Sequence, residues 1–155
     1  MRLVTYNESY KDKIAGYVLS EEQLRFTKSP AESIQHAAQD KQRHPILALK
    51  NEELVTFFVL HEKDGVAPFS ENPHAVLLRS LSTDCRCQGK GHAKEAFQLL
   101  PAFVRAHFPD ITEIVLAVNV QNTPAQALYE KCGYVDQGIR VMGRKGEMIV
   151  MSLQL

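Results

Sequence analysis

The chain carries no net charge: 18 Lys and Arg stand against 18 Asp and Glu in 155 residues. That balance argues against nucleic acid as the main partner, because no basic excess is present to neutralise phosphates. It gives no reason to expect an anionic membrane surface either. No apolar run approaches the roughly 20 residues that span a bilayer. The opening stretch, Met1-Arg2-Leu3-Val4-Thr5-Tyr6, has no signal-peptide architecture, so a cytoplasmic protein is expected. Cysteine is scarce: only Cys85, Cys87 and Cys132 occur. An odd count without a secretory signal favours free thiols over a disulfide framework. Cys85 and Cys87 lack the spacing of a common zinc knuckle, and no paired His motif accompanies them, so no metal site is expected. Internal repeats, low-complexity segments and linkers are missing as well. Residues 1–155 therefore read as one domain with a single core.

What is present is an alternation of strand and helix patterns. Arg2 to Tyr6 reads as a first strand. Asn7 then caps a helix over Glu8 to Leu19, with Ile14, Tyr17 and Val18 at helical spacing. Ser20 opens a second short helix containing Leu24 and Phe26. Ser29-Pro30-Ala31-Glu32 opens a third, which runs to about Lys41, with Pro45 barring extension. Pro45 to Leu49 and Leu54 to His61 read as a hairpin, and Glu62 to Pro73 as a loop. Ala75 to Leu81 is an apolar strand and Ala93 to His107 a helix, kinked or restarted at Pro101. Glu113 to Asn119 is a further strand. Thr123 caps a helix with Pro124 at its first position, and Gly133 stops it. Tyr134 to Val141 and Met148 to Leu153 form a closing hairpin. The order implies an α/β domain with a mixed sheet.

The junction Asp84-Cys85-Arg86-Cys87-Gln88-Gly89-Lys90-Gly91-His92-Ala93 lies between a strand and a helix. The first turn of a helix leaves N–H groups without partners and carries partial positive charge. Glycines remove Cβ atoms that would hold a large anion away. Such a junction suits a phosphate, although a tight turn with no ligand has the same sequence. It is not the dinucleotide fingerprint, since the residue three after Gly91 is Lys94, and nothing fits a Walker-type loop.

A second motif is more specific: Asn122-Thr123-Pro124-Ala125-Gln126-Ala127-Leu128-Tyr129-Glu130-Lys131-Cys132-Gly133-Tyr134. In this order after Gln88-Gly89-Lys90-Gly91-His92-Ala93, it resembles the GNAT superfamily of acyl-CoA-dependent N-acetyltransferases. The family pattern Q/R-x-x-G-x-G/A, which fits Gln88 to Ala93, also fits from Arg86 to Gly91. The resemblance is firm over Ala75 to Tyr134 and rests elsewhere on element order. Within the superfamily, Leu19 to Phe26 looks like the start of bacterial spermine/spermidine acetyltransferases.

The resemblance implies a mixed, mostly antiparallel sheet of about six to seven strands flanked by helices. The fourth strand is expected to carry a bulge and splay from the fifth. It implies acetyl-CoA as cofactor, with pantetheine along Leu81, Ser82 and Thr83 and pyrophosphate on the N–H groups of Gln88, Gly89, Lys90, Gly91, His92 and Ala93. Asn122 is expected near the pantetheine, and Tyr129 as the acid that protonates the leaving sulfur. Each has a plainer reading: core packing for Tyr129, turn chemistry for Asn122, a solvated charge for Lys90. His92 is expected to be exposed, without a catalytic role.

Three positions depart from the family. Cys85 stands where many members have proline, and Thr56 where glycine is common. Arg79 and Ser80 occupy the fourth strand where several members carry a glutamate base. Glu22, His61, His74 and a water chain are the candidates for the base. The acceptor is expected between residues 20–40 and 139–148, with Glu22, Gln23 and Phe26 as candidate contacts. Acids at Glu21, Glu22, Glu32 and Asp40 make a polyamine one candidate, against a merely solvated helix face. The expected activity is acetyl transfer to a primary amine of a small molecule, with a silent acyl-CoA-binding sensor or interaction module as the alternative. A homodimer through the last strands is implied by resemblance.

Overall fold

The computed structural model describes all residues from Met1 to Leu155. Strand β1 (Arg2–Thr5) leads to a 3-10 turn at Glu8–Tyr10 and helix α1 (Lys11–Ala15). Helices α2 (Glu21–Leu24) and α3 (Pro30–Ala38) precede the long hairpin of β2 (Arg43–Lys50) and β3 (Glu53–Glu62). Then come β4 (Ala75–Thr83), α4 (His92–His107), β5 (Glu113–Asn119), α5 (Thr123–Lys131), β6 (Val135–Gly143) and β7 (Gly146–Gln154). All strands join one seven-stranded sheet in the order β1-β2-β3-β4-β5-β7-β6. Only the β4–β5 pair is parallel. No helix is long and apolar enough to cross a membrane.

Local chemistry accounts for the element boundaries. Ser20 and Gln23 form a capping box on α2. Ser29 accepts from Glu32 N ahead of Pro30 on α3. The β2–β3 turn places Asn51 and Glu52 at φ 52° and 65°, the conformation of a two-residue hairpin turn that matches strand twist. Helix α4 runs unbroken through Pro101. Two expectations are corrected. The cap of α5 is Asn122, whose side chain accepts from Ala125 N at 3.3 Å, so Thr123 is the first helical residue. The helix foreseen over Glu8–Leu19 stops at Ala15. Its continuation is drawn away because Asp84 Oδ2 takes Val18 N at 3.0 Å and Val18 O takes Cys85 N at 2.9 Å.

The main core lies between the sheet and α4 and α5, around Phe58, Leu60, Phe97, Leu100, Val104 and Leu116. A second cluster, including Leu47, Phe57 and Val59, is covered by Ile14, Tyr17 and Ile34 from α1, α3 and the segment after α1. With helices on both faces, the middle strands read as continuous apolar runs rather than alternations.

Candidate active site

Strands β4 and β5 pair only from Ala75↔Glu113 to Leu78↔Leu116. Beyond Leu78, β4 stays with β3 as far as Thr83, while β5 stays with β7 as far as Asn119. The sheet therefore forks. A bulge drives the divergence: between Phe57↔Ser82 and Val59↔Arg79, Ser80 and Leu81 oppose Phe58 alone. Ser80 takes φ +57°, the left-handed region. The expected bulge and splay are both present. Backbone groups of residues 79–83 that face the fork have no strand partner there.

A cleft of about 330 Å³ fills the fork. Its walls include Leu81, Ser82, Gln88, Asn122 and Tyr129 from the foreseen cofactor set, and Glu22, Gln23 and Phe26 from the foreseen acceptor set. Thr83 stands outside the cleft wall. Its carbonyl is taken by Gln23 Nε2 at 2.6 Å and its hydroxyl by Thr56 at 3.0 Å. Gln23 is thereby tied to the frame, since its Oε1 also accepts from Ser20 N. Asn122 spends its Oδ1 on the α5 cap.

The mouth of the cleft is an array of free donors. Gly89 and Gly91 adopt φ +77° and +79°, and a Cβ at either would meet no protein atom within 4 Å. Glycine is required there by backbone conformation rather than by protein packing. The first helical bond of α4 is Glu95 N to Gly91 O at 3.0 Å. No backbone N–H from Gln88 through Lys94 donates within the protein. Lys90 is exposed beside them. His92 is half-buried, not exposed as expected, and its Nδ1 is buried without a partner. Ala93 is half-buried in the first turn.

Tyr129 is 7% exposed, and its ring packs at a tilt of 54° against Phe97 and Tyr134, with centroids 5.3 Å and 6.2 Å away. Burial raises its hydroxyl above the ordinary value of 10.0, with Cys132 adding to the effect. The phenol is protonated at neutral pH.

Of the base candidates, only Glu22 reaches the cleft. His74 is exposed and precedes β4, at the far end of the strand. His61 is 4% exposed and held elsewhere. Its Nε2 meets Asp40 at 3.2 Å and its Nδ1 meets Arg79 Nη1 at 3.3 Å. A guanidinium only donates, so Nδ1 is the acceptor and Nε2–H faces Asp40. Gly65 permits this seat, because a Cβ there would lie 2.1 Å from the imidazole. Burial, then Arg43 and Arg79, lower the His61 pKa below its ordinary 6.5. A group of this sign leaves the unfolded chain binding more protons, so stability is full above pH 6.5 and falls as pH drops below it. Thermal unfolding of wild type against His61→Gln across that window checks this; the wild type is expected to lose more on acidification.

The foreseen acids do not converge. Glu21 and Glu32 are exposed on separate helices, and Asp40 is engaged by Arg43 and His61. Sequence reading also passed over Asp84, which is 1% exposed. Its carboxylate accepts from Arg86 Nη2 at 2.7 Å, Arg86 Nε and N at 2.9 Å, and Val18 N at 3.0 Å. An aspartate closing a strand two residues before an arginine is an Asx-turn signal that could have revealed it.

Against known proteins, the model of the acetyltransferase (GNAT) family matches residues 6–134. An uncharacterized N-acetyltransferase, YbbJ, of Bacillus subtilis (strain 168) is 41% identical over 147 residues, 94% of this chain and 92% of that one. Aminoglycoside acetyltransferase AAC(6')-Ib in complex with coenzyme A superposes with TM-score 0.77 at 18% identity, over 98% of this chain and 93% of that chain. A spermidine N-acetyltransferase SpeG chimera from Vibrio cholerae and hSSAT gives TM-score 0.68 at 19% identity, over 99% and 96%. These two likenesses bear on fold. The matched residues run from the end of β1 through the fork, the glycine loop and α5, and the chain belongs to the acetyltransferase (GNAT) family.

Proposed function

We propose that the protein transfers an acetyl group from acetyl-CoA to a primary amine of a small molecule, with both substrates held together at the fork. The observation that carries this reading is the run of unpaired N–H groups from Gln88 to Lys94 at the mouth of a cleft with the Tyr129 ring in its wall. Those donors, with the α4 dipole behind them, fit the pyrophosphate. The free edge of β4 at Leu81 and Ser82 fits the pantetheine amides as an added strand does. Acetyl-CoA supplies the thioester and a thiolate leaving group. The N–H of Leu81, a residue of the cleft wall, is the donor assigned to polarise the thioester carbonyl. Asn122 contributes its amide near the pantetheine. Tyr129 holds a proton at its hydroxyl and gives it to the departing sulfur. Glu22 is the one carboxylate on the wall, and it takes the proton of the amine directly or through water.

The loop assignment has its own test. Gly91→Asp keeps a residue type that tolerates the left-handed conformation but sets a carboxylate among the free donors. CoA binding, measured by calorimetry, is expected to weaken at least about tenfold, with thermal stability nearly unchanged. Undiminished binding would remove the phosphate loop from the account. A protein that binds acetyl-CoA but releases no CoA thiol with any amine would fit a silent acyl-CoA-binding module instead.

A homodimer belongs to the same proposal. Strand β6 ends the sheet with an unpaired edge and exposes Val135, Ile139 and Met142. Sedimentation of the free protein tests it, and a monomer at all concentrations would refute it.

A further inference from the structure

A second chamber of about 390 Å³ opens beside the cleft. The two meet at Thr27, Arg79, Ser80, Ala117 and Asn122. Their walls are strongly unequal in charge. Arg25, Lys28, Arg79, Arg144 and Lys145 all line the second chamber, and no acid does. None of these five cations forms a salt bridge. The protein's ion pairs use Arg2, Arg43, Lys50, Arg86 and Arg140, with His44 and His61 and the N-terminal amine. Arg79 is half-buried, and its one hydrogen bond goes to His61 Nδ1. A guanidinium withdrawn from water without a carboxylate leaves a cost that an incoming oxyanion can offset. Beside it, Thr27 Oγ1 is buried with no hydrogen-bond partner. The junction therefore sets one buried, unpartnered hydroxyl beside a guanidinium that has a single hydrogen bond and no carboxylate.

A polycation fits this place poorly. It would meet five positive groups, with Glu22 alone opposite, and like charges brought together in a partly desolvated cavity repel. An acceptor carrying its own negative group has the opposite balance. Resting on the acetyl-transfer reading of the same site, we propose that the acceptor is a small amine that also bears a carboxylate, the chemical class of amino acids. Its carboxylate is held by the Arg79 fork and the Thr27 hydroxyl. Arg25, Lys28, Arg144 and Lys145 supply the attracting field at the entrance. Leu24 and Phe26, 48% and 44% exposed, lie along the same wall and offer apolar contact to the body of the acceptor. His61 and Asp40 act as positioning residues, since they hold the Arg79 fork at the junction.

The test compares each amino acid with its own carboxamide, which keeps the amine and the side chain but loses the charge. The readout is kcat/KM for CoA-thiol release with wild type, Arg79→Gln, Arg79→Lys and Thr27→Val. Wild type is expected to favour the carboxylate at least about tenfold, the value of a hydrogen-bonded charge pair. Arg79→Gln is expected to collapse that ratio toward one, Arg79→Lys to restore part of it, and Thr27→Val to reduce it. A merely structural arginine would lower both substrates together and leave the ratio standing, which would overturn the assignment. Spermidine or an aminoglycoside outperforming every amino acid would also overturn it while leaving acetyl transfer intact. If no amine is turned over, acetyl transfer itself fails. The carboxylate site is then judged by binding of N-acetyl amino acids against their carboxamides to the CoA-loaded protein, and equal binding would overturn it.

Discussion

Replacing Tyr129 by Phe lowers turnover at least about 100-fold and leaves CoA affinity near that of the wild type. The substitution removes one oxygen and keeps the ring, so the packing against Phe97 and Tyr134 survives. Burial is the largest influence on the hydroxyl and no hydrogen bond offsets it, so it stays protonated while facing the cleft. A buried phenol with its proton retained is suited to one step: donating to a thiolate as the carbon–sulfur bond breaks. Because the proton is needed only in the transition state, the loss falls on kcat rather than on cofactor binding. Steady-state kinetics with calorimetric binding of CoA separates the two. Unchanged kcat would remove Tyr129 as the acid and return it to the core-packing role that its position beside Leu128 also permits.

Asp84→Ala destabilises the fold by about 2–3 kcal/mol and weakens CoA binding as well. The carboxylate gathers Val18 from the segment after α1 and Arg86 from the glycine loop onto the end of β4. Arg86 in turn donates to Gly16 O at 2.7 Å. Removing the carboxylate leaves the Val18 and Arg86 N–H groups without this acceptor and unties the loop that presents the free donors from Gln88 onward. Side-chain hydrogen bonds from Arg86 lead in lowering the Asp84 pKa from 3.8 to about 2. For an acid shifted this way, the stabilisation is complete above pH 3.8 and is lost as pH falls through about 2. The variant is therefore expected to lose the part of the acid-unfolding profile that lies in this window. Denaturant unfolding at neutral pH and at the acid limb measures both effects. Wild-type stability in Asp84→Ala would show that the loop is held by backbone contacts alone.

What the sequence revealed, and what it hid, follow from how far each signal reaches. The glycine loop and the motif from Asn122 to Tyr134 are local patterns; the loop sits where its turn chemistry places it, and helix α5 begins one residue earlier than expected because Asn122 rather than Thr123 is its cap. The mixed sheet, the bulge and the fork follow from the family resemblance, and all three are present. The first helix ends early because Val18 is claimed by Asp84, 66 residues away, and no local periodicity records such a competitor. His61 drew notice as a base because histidine titrates near neutrality, yet its two nitrogens are spent on Asp40 and Arg79. The acids of the N-terminal helices are close in sequence and dispersed in space. The basic chamber is the converse: Arg25, Lys28, Arg79, Arg144 and Lys145 come from the α2–α3 connection, β4 and the β6–β7 turn. Net charge of zero concealed that concentration, since it records the sum and not the arrangement.

The most direct test of acetyl transfer at the fork is CoA-thiol release from acetyl-CoA by the purified protein. A panel of amino acids, spermidine, spermine, aminoglycosides and N-terminal peptides is measured beside an amine-free control. Acetyl transfer at the fork gives release that depends on the amine, saturates with it, and yields N-acetylated product in equal amount. Release at the amine-free rate with every acceptor, from protein shown to bind acetyl-CoA, would contradict it.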